Sequence, residues 1–250
     1  MLPPDSFLKQ VPHALESRAR LILEAAGWAI DSILIAFSDL ESVALATPID
    51  QPSTELEHRL FVHCWSIVDQ CHMLRSVLQR LPVVHPEIAH FVQQTEGYTF
   101  VRNSMDHLAE KLDNLVRAKV TKPPIFGVAS WIRVDPENIV GGKVVGFTSW
   151  NVSSGTVLAT PGWTAVRPRR ELCAAEPVSN FYFEAFEHSV DLSQLIDDIR
   201  VVVEHFDTTV RARIDDGIRE GARARGIDPE EVLKLKGSGG LKIGFKIAIV

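Results

Sequence analysis

The feature that most constrains the fold is a long apolar segment near the N-terminus. From about Ala14 to Ala46 the chain is rich in Leu, Ile and Ala and contains few residues that break a helix. Ala and Leu are among the strongest helix formers, so this segment predicts one long helix. A helix this apolar is expected to be largely buried against its neighbours.

Two further long helices are predicted after this segment. Ser53 or Thr54 can cap a second helix that runs to about Leu81. Pro86 suits the first position of a third helix that continues to about Ala118. Three long helices with short connections predict an antiparallel bundle.

The pattern changes from Thr121 onwards to short runs rich in Val, Ile, Phe and Trp, separated by turn residues. After these runs, Asp191 and Gln194 form the pattern of a helix cap and open a last bundle helix. The expected fold is therefore mainly α, an antiparallel bundle of about four long helices with a small antiparallel β-sheet inserted before the last helix. This expectation divides the chain into four regions. Residues 14–118 form the first three helices, 121–188 the sheet, 191–225 the last helix and 226–250 a C-terminal tail.

Composition limits the function and the compartment. A formal net charge of −6 argues against a protein that coats nucleic acid, although a local basic site can still bind a phosphate backbone. Three cysteines without a CxxC pair indicate a reducing compartment. No signal peptide is recognisable, and no segment reaches the ~18 apolar residues of a membrane span. We therefore expect a soluble cytoplasmic protein that does not bind a membrane.

The third predicted helix has a core-facing seam. Its apolar side chains recur at alternating spacings of four and three residues, as in a packed helix. They are Val101, Met105, Leu108, Leu112 and Leu115.

Beside this seam lies a group of polar residues suited to phosphodiester chemistry. Arg102 lies at the edge of the seam, whereas Asn103 and His107 share a ridge that points away from it. A His can take or give a proton near neutral pH, and an Arg can hold a phosphate through two parallel hydrogen bonds. If two copies of this ridge met across a two-fold axis, they would provide an acid, a base and charge stabilisation in one cleft.

The segment RNSMDH, which contains Arg102, Asn103 and His107, resembles the R-N-x-x-x-H form of the signature of the HEPN superfamily. This resemblance implies a helical bundle that dimerises to build a composite endoribonuclease site without a metal or other cofactor. It also implies RNA and a second copy of the chain as partners, and a role in toxin–antitoxin systems or phage defence, where an antitoxin protein is a further partner.

The resemblance assigns roles residue by residue. The family's Arg falls on Arg102, its polar residue on Asn103 and its His on His107. His107 would act as general base or acid while a ribose 2′-hydroxyl attacks the neighbouring phosphate, and Arg102 would stabilise the charge. Members silenced by a partner nucleotidyltransferase carry a Tyr two positions after the His, where this chain has Ala109. That form of regulation is not expected here.

Some residues outside the motif can support it, although side chains of these types can also be simply buried and hydrogen-bonded or exposed to solvent. If the second and third helices form a hairpin, His63 and Ser66 lie level with the motif and can support it from the neighbouring helix, whereas Asp69 has no catalytic role of its own. A basic run can guide RNA towards the site, or simply form a solvated face. Its arginines are Arg167, Arg169 and Arg170. The aromatic residues of the sheet are expected to form its core, with base stacking as the alternative. They are Trp131, Trp150, Trp163, Phe181 and Phe183.

Other constellations are weaker. Glu55–His58 and Glu87–His90 have the E-x-x-H spacing of di-iron ligands, but both open helices that run in opposite directions, so the two pairs would lie ~40 Å apart. The GGKVV stretch at Gly141 lacks the glycine and hydroxyl of a phosphate loop and predicts a β-turn. Two rival functions stay open: a non-catalytic HEPN-like module that binds a nucleotide or protein in the same cleft, and a structural bundle whose sheet mediates protein contacts.

Overall fold

A computed structural model describes residues 1–48, 53–82, 85–110, 126–154, 165–186 and 188–236. The α-helices are α1 (Ser17–Ala46), α2 (Thr54–Leu78), α3 (Pro86–Gln94), α4 (Glu96–Asp106), α5 (Leu192–His205), α6 (Arg211–Ala224) and α7 (Pro229–Lys234). The strands are β1 (Val128–Arg133), β2 (Ile139–Val140), β3 (Lys143–Val144), β4 (Thr148–Ser153), β5 (Val178–Ala185) and β6 (His188–Asp191).

The first two helices pack against each other and supply much of the core. Ser53 caps α2 by accepting a hydrogen bond from the backbone N–H of Leu56, as the sequence predicts. By length and composition alone α1 could cross a membrane, contrary to the expectation that no segment is apolar enough. Half of its most apolar window is buried inside the protein, where Ile30, Ile33 and Leu40 are fully enclosed. Such burial is typical of a core helix.

The predicted third helix is divided into α3 and α4 at Thr95. The guanidinium of Arg75, on α2, donates to the carbonyl of Val92 and, at 3.3 Å, to the hydroxyl of Thr95. In a continuous helix the Val92 carbonyl would accept the backbone N–H of Glu96. Arg75 thus contacts the backbone and the Thr95 side chain at the point where the helix is divided. Of the predicted seam, Leu112 and Leu115 lie outside the described residues.

The main sheet is antiparallel, with the strand order β4-β1-β5-β6. In the register of β1 with β4, Trp131 lies opposite Trp150 and their rings stack. The β2–β3 hairpin is separate and turns through Gly141 and Gly142, which have φ angles of +57° and +78°. These left-handed angles are what a tight hairpin turn requires, and they confirm that the GGKVV stretch is a β-turn.

The expected fold, a four-helix bundle with a small inserted sheet, is wrong. Seven α-helices lie in the part of the chain that the structure describes, and residues 128–191 form a four-stranded sheet and a two-stranded hairpin. The sheet shares one hydrophobic core with the helices. The ring of Phe37 on α1 meets Phe181 edge-on at 5.5 Å, and Trp65 on α2 meets Phe183 in the same way at 5.0 Å.

The reason for this difference is the apolar face of the sheet. Trp131, Phe181 and Phe183 are buried, and side chains of this size must be covered by a second layer of the structure. That layer includes α1 and α2, so both helices pack on the sheet instead of closing a helix-only bundle. Trp150 is half-buried, and Trp163 lies outside the described residues.

The predicted last helix is also interrupted. The Asp191 carboxylate caps α5 by accepting the backbone N–H of Gln194 at 2.8 Å, as predicted. A π-helical turn at Phe206–Val210 then separates α5 from α6. The Asp207 carboxylate in this turn accepts hydrogen bonds from the Ser6 hydroxyl and the Phe7 backbone N–H, which fixes the N-terminal segment onto the turn.

Candidate functional site

Arg102 lies on α4 and is held between two carboxylates. Its Nη1 atom is 2.5 Å from Oδ2 of Asp106, one turn along the same helix. Its Nε atom is 3.5 Å from Oδ1 of Asp69 on α2. The side chain keeps 33% of its surface exposed, so the guanidinium is anchored at a position that a ligand can still reach.

The environment of Arg102 perturbs two further groups. Partial burial raises the pKa of the Asp69 carboxyl, an effect that the charge of Arg102 opposes and that of Asp106 reinforces. Partial burial, followed by the charges of Arg102 and Arg75, lowers the pKa of His72, which holds this imidazole in its neutral form at neutral pH. Nδ1 of His72 also lies 3.4 Å from the hydroxyl of Thr99.

Asn103 and His107 lie on the exposed side of the same segment. α4 ends at Asp106, and the backbone N–H of His107 donates to the carbonyl of Asn103 at 3.2 Å. The imidazole is 57% exposed, and its Nδ1 atom lies 3.1 Å from a carboxylate oxygen of Glu110. Arg102 and His107 therefore contact different side chains: Arg102 contacts two aspartates and His107 contacts a glutamate.

A groove of about 660 Å³, here called the α2–α4 groove, borders this cluster. Asp69 and Ser66 of α2 and Met105 of α4 line it, together with Trp65 and Phe126. The indole N–H of Trp65 donates to the carbonyl of Phe126 at 3.1 Å, which joins α2 to the chain just before β1. The groove combines an apolar wall with the carboxylate that binds Arg102.

The two supporting residues expected on α2 have different surroundings. Ser66 lines the α2–α4 groove beside Asp69. His63 is half-buried, and the charges that act on its imidazole are those of Asp39 on α1 and Arg59. Burial lowers its pKa more than Asp39 raises it.

The basic run lies around a second pocket of about 380 Å³, whose lining includes Arg169 and Arg170 but neither Arg102 nor His107. Arg169 lies 3.4 Å from the Asp191 carboxylate, and Arg170 lies 2.6 Å from that of Glu176. Arg167 is exposed. Local carboxylates thus offset two of the three charges that were expected to guide RNA.

Sequence reasoning missed the carboxylates around Arg102. The spacing of Arg102 and Asp106, four residues apart on one helix, was a usable signal of an ion pair. Asp69 and His72 give no comparable signal, because they meet Arg102 only when α2 packs against α4. The E-x-x-H pairs do not behave as ligand pairs: His58 and His90 are exposed, and the Glu87 carboxylate contacts His85.

Comparison of the chain with protein-family models, curated proteins and solved structures finds no match. The case for a function therefore rests on the residues and their geometry.

Proposed function

We propose that the protein is a metal-independent endoribonuclease of the HEPN type that builds a composite site from two copies of the chain. The observation that carries the proposal is the placement of three polar side chains along α4 and the residue that follows it. Arg102 is anchored yet accessible, and Asn103 and His107 are exposed beside it. This segment presents a guanidinium, an amide and an imidazole at the surface of one subunit.

The reaction requires two proton transfers and charge stabilisation. His107 of one copy takes the proton from a ribose 2′-hydroxyl, whose oxygen attacks the adjacent phosphorus. The bond to the 5′-oxygen breaks, and the second copy's imidazole protonates the leaving oxygen. The products are a 2′,3′-cyclic phosphate and a 5′-hydroxyl. Arg102 donates hydrogen bonds to the phosphate oxygens as negative charge develops on them.

The contacts of Arg102 are compatible with this role. A guanidinium carries five N–H donors, and the contacts to Asp69 and Asp106 engage Nε and Nη1. Within the described ranges Nη2 makes no such contact, so its donors are open to a phosphate. The aspartates fix the plane of the guanidinium, so binding a phosphate costs less side-chain entropy.

Dimerisation through this face is supported by an exposed aromatic residue. Phe100 lies one turn before Asn103 and Ser104 on α4, and 47% of its surface is exposed. Its ring stacks on His188 at 5.3 Å, which holds it in place. Phe100, Asn103 and His107 follow a spacing of three and four and form one ridge of the helix. A two-fold contact along this ridge would bring the two His107 side chains together.

A non-catalytic HEPN-like module is the second candidate, and one observation favours it. Two carboxylates next to one guanidinium lower the positive potential that attracts RNA. The same dimer cleft would then hold a nucleotide or a protein without cleavage. A cytoplasmic toxin or phage-defence effector, with an antitoxin as partner, is the biological setting that the nuclease proposal implies.

Cleavage of RNA by the purified protein in EDTA tests the proposal. We expect the wild type to cut single-stranded RNA and to leave 2′,3′-cyclic phosphate ends. His107→Ala and Arg102→Ala should each reduce the rate by about 100-fold or more, the usual contribution of a general acid or base or of a charge-stabilising donor. The matched controls are His90→Ala and Arg80→Ala, which remove exposed residues outside the motif.

Equal rates in all five proteins would assign the cleavage to a contaminant. If the wild type cuts none of a varied set of RNAs, the nuclease proposal is wrong, and binding of labelled nucleotides would then test the non-catalytic module.

A further inference from the structure

Three metal-ligating side chains meet where α3 begins and α5 ends. They are His85, Glu87 and His205, and one donor atom from each lies within 4.8 Å of the other two. His205 is buried with 7% of its surface exposed, and the other two are half-buried. The cluster is outside the Arg102 site and takes no part in the proposed nuclease chemistry.

Two elements hold the cluster together. His85 directly precedes α3 and Glu87 lies in its first turn, where the Glu87 carboxylate contacts Nδ1 of His85. The ring of His85 stacks on that of His205 with 4.0 Å between the centroids and 28° between the planes. Two imidazoles and one carboxylate therefore converge from parts of the chain that are far apart in sequence.

The backbone at His205 is unusual. His205 is the last residue of α5, and the helix widens immediately after it into the π-helical turn Phe206–Val210. Such turns insert one residue into a helix, change the direction of side chains, and occur frequently at functional sites. The carboxylate of Asp207 anchors this turn to the N-terminal segment, so the backbone directly after His205 is held in place.

We propose that His85, Glu87 and His205 bind a divalent transition-metal ion, with Zn²⁺ as the best fit. Two imidazole nitrogens and one carboxylate oxygen form a three-ligand zinc set with one position left for water or another ligand. In a tetrahedral site with bonds of about 2.0–2.2 Å the donor atoms lie roughly 3.4 Å apart. Binding of the ion would bring the three donor atoms, which already lie within 4.8 Å of one another, closer together and would turn the two imidazoles out of their stack.

The donor types and the surroundings determine which metal binds. Imidazole suits Zn²⁺, Cu²⁺ and Ni²⁺, whereas Mg²⁺ and Ca²⁺ prefer sites built from oxygen donors. The ion would link the start of α3 to the end of α5 and so stabilise the packing of these two helices.

Calorimetric titration of the tag-free, full-length protein with ZnCl₂, after removal of metals with a chelator, tests this site. We expect one ion per chain with micromolar or tighter affinity, and at least a tenfold weaker affinity in Glu87→Gln. His205→Asn should remove binding. His90→Ala, which replaces an exposed histidine of α3, the helix that carries Glu87, should leave binding unchanged. Co²⁺ should bind the wild type with the intense visible absorption of a tetrahedral nitrogen–oxygen site.

Glu87→Gln keeps the experiment informative if His205→Asn does not fold, because Glu87 is half-buried and its replacement is nearly isosteric. Absence of saturable Zn²⁺ binding in the wild type would overturn the proposal, as would equal binding by folded Glu87→Gln. RNA cleavage in EDTA is expected to be the same in Glu87→Gln and the wild type, so this result is independent of the proposed nuclease activity.

Discussion

The Nε atom of Arg102 on α4 lies 3.5 Å from Oδ1 of Asp69 on α2. This ion pair joins the motif helix to its neighbour and, with Asp106, fixes the guanidinium at the edge of the α2–α4 groove. Burial raises the pKa of the Asp69 carboxyl by more than the charge of Arg102 lowers it. In its ionised form the Asp69 carboxylate both holds the guanidinium in place and offsets its positive charge.

Asp69→Asn is expected to increase the affinity for RNA. The amide still accepts a hydrogen bond from Arg102, but it no longer cancels the positive charge. We expect about a two- to fivefold tighter Kd at low salt, because a partly exposed ion pair contributes ~0.4–1 kcal/mol. Fluorescence anisotropy with a labelled RNA, in EDTA and with the His107→Ala background to prevent cleavage, measures the effect.

The matched control for this change is Asp39→Asn, which removes one exposed carboxylate from α1. If Asp39→Asn increases the affinity for RNA by less than Asp69→Asn does, the effect depends on the place of the carboxylate beside Arg102 and not only on the net charge. An unchanged or weaker Kd in Asp69→Asn would contradict the view that Arg102 contacts the phosphate.

The titration of His72 reports the position of Arg102 independently of activity. Burial and the charges of Arg102 and Arg75 lower the pKa of this imidazole from its ordinary value. The imidazole of His72 binds a proton more readily in the unfolded chain than in the folded one. The free energy of unfolding therefore decreases as the pH falls below about 6.5. Arg102→Ala should raise the pKa of His72, as measured by NMR, whereas Arg80→Ala should leave it unchanged. An unchanged pKa in Arg102→Ala would place the guanidinium away from His72.

Phe181→Ala tests whether the sheet and the helices form one folding unit. Phe181 is 1% exposed and contacts Phe37 of α1 and Trp131 of β1, so its truncation should cost about 3–5 kcal/mol. Far-UV circular dichroism and tryptophan fluorescence should report the same shifted transition in urea. The matched control Phe147→Ala, at an exposed position, should cost ~0.5 kcal/mol or less. Separate transitions for the two signals would show that the sheet folds on its own.

Local signals in the sequence predicted the helix starts well. Ser53, Pro86 and Asp191 each open a helix as their residue types indicate. The break at Thr95 was not predicted, and the contacts of Arg75 at this point reach across from α2, far away in the sequence. A contact between two helices has no local pattern.

The role of the sheet was missed for a similar reason. The alternation of apolar residues identifies strands but does not show which surface covers them. In the structure α1, α2 and the sheet share one core. The four-helix bundle that was expected from long helices with short connections therefore does not form. The sequence offered Arg102, Asn103 and His107 as candidate site residues, whereas Asp69 and His72 approach Arg102 only through the packing of α2 on α4.

The central claim is that two copies of the chain build one active site, and a subunit-mixing assay tests it most directly. A fixed amount of wild type is allowed to exchange subunits with increasing amounts of His107→Ala, and RNA cleavage is measured in EDTA with RNA in large excess over both proteins. Mixed dimers carry one imidazole instead of two, so we predict that the rate falls towards zero as the variant increases. A rate that stays proportional to the wild type alone, or no cleavage by the wild type, would contradict the composite site.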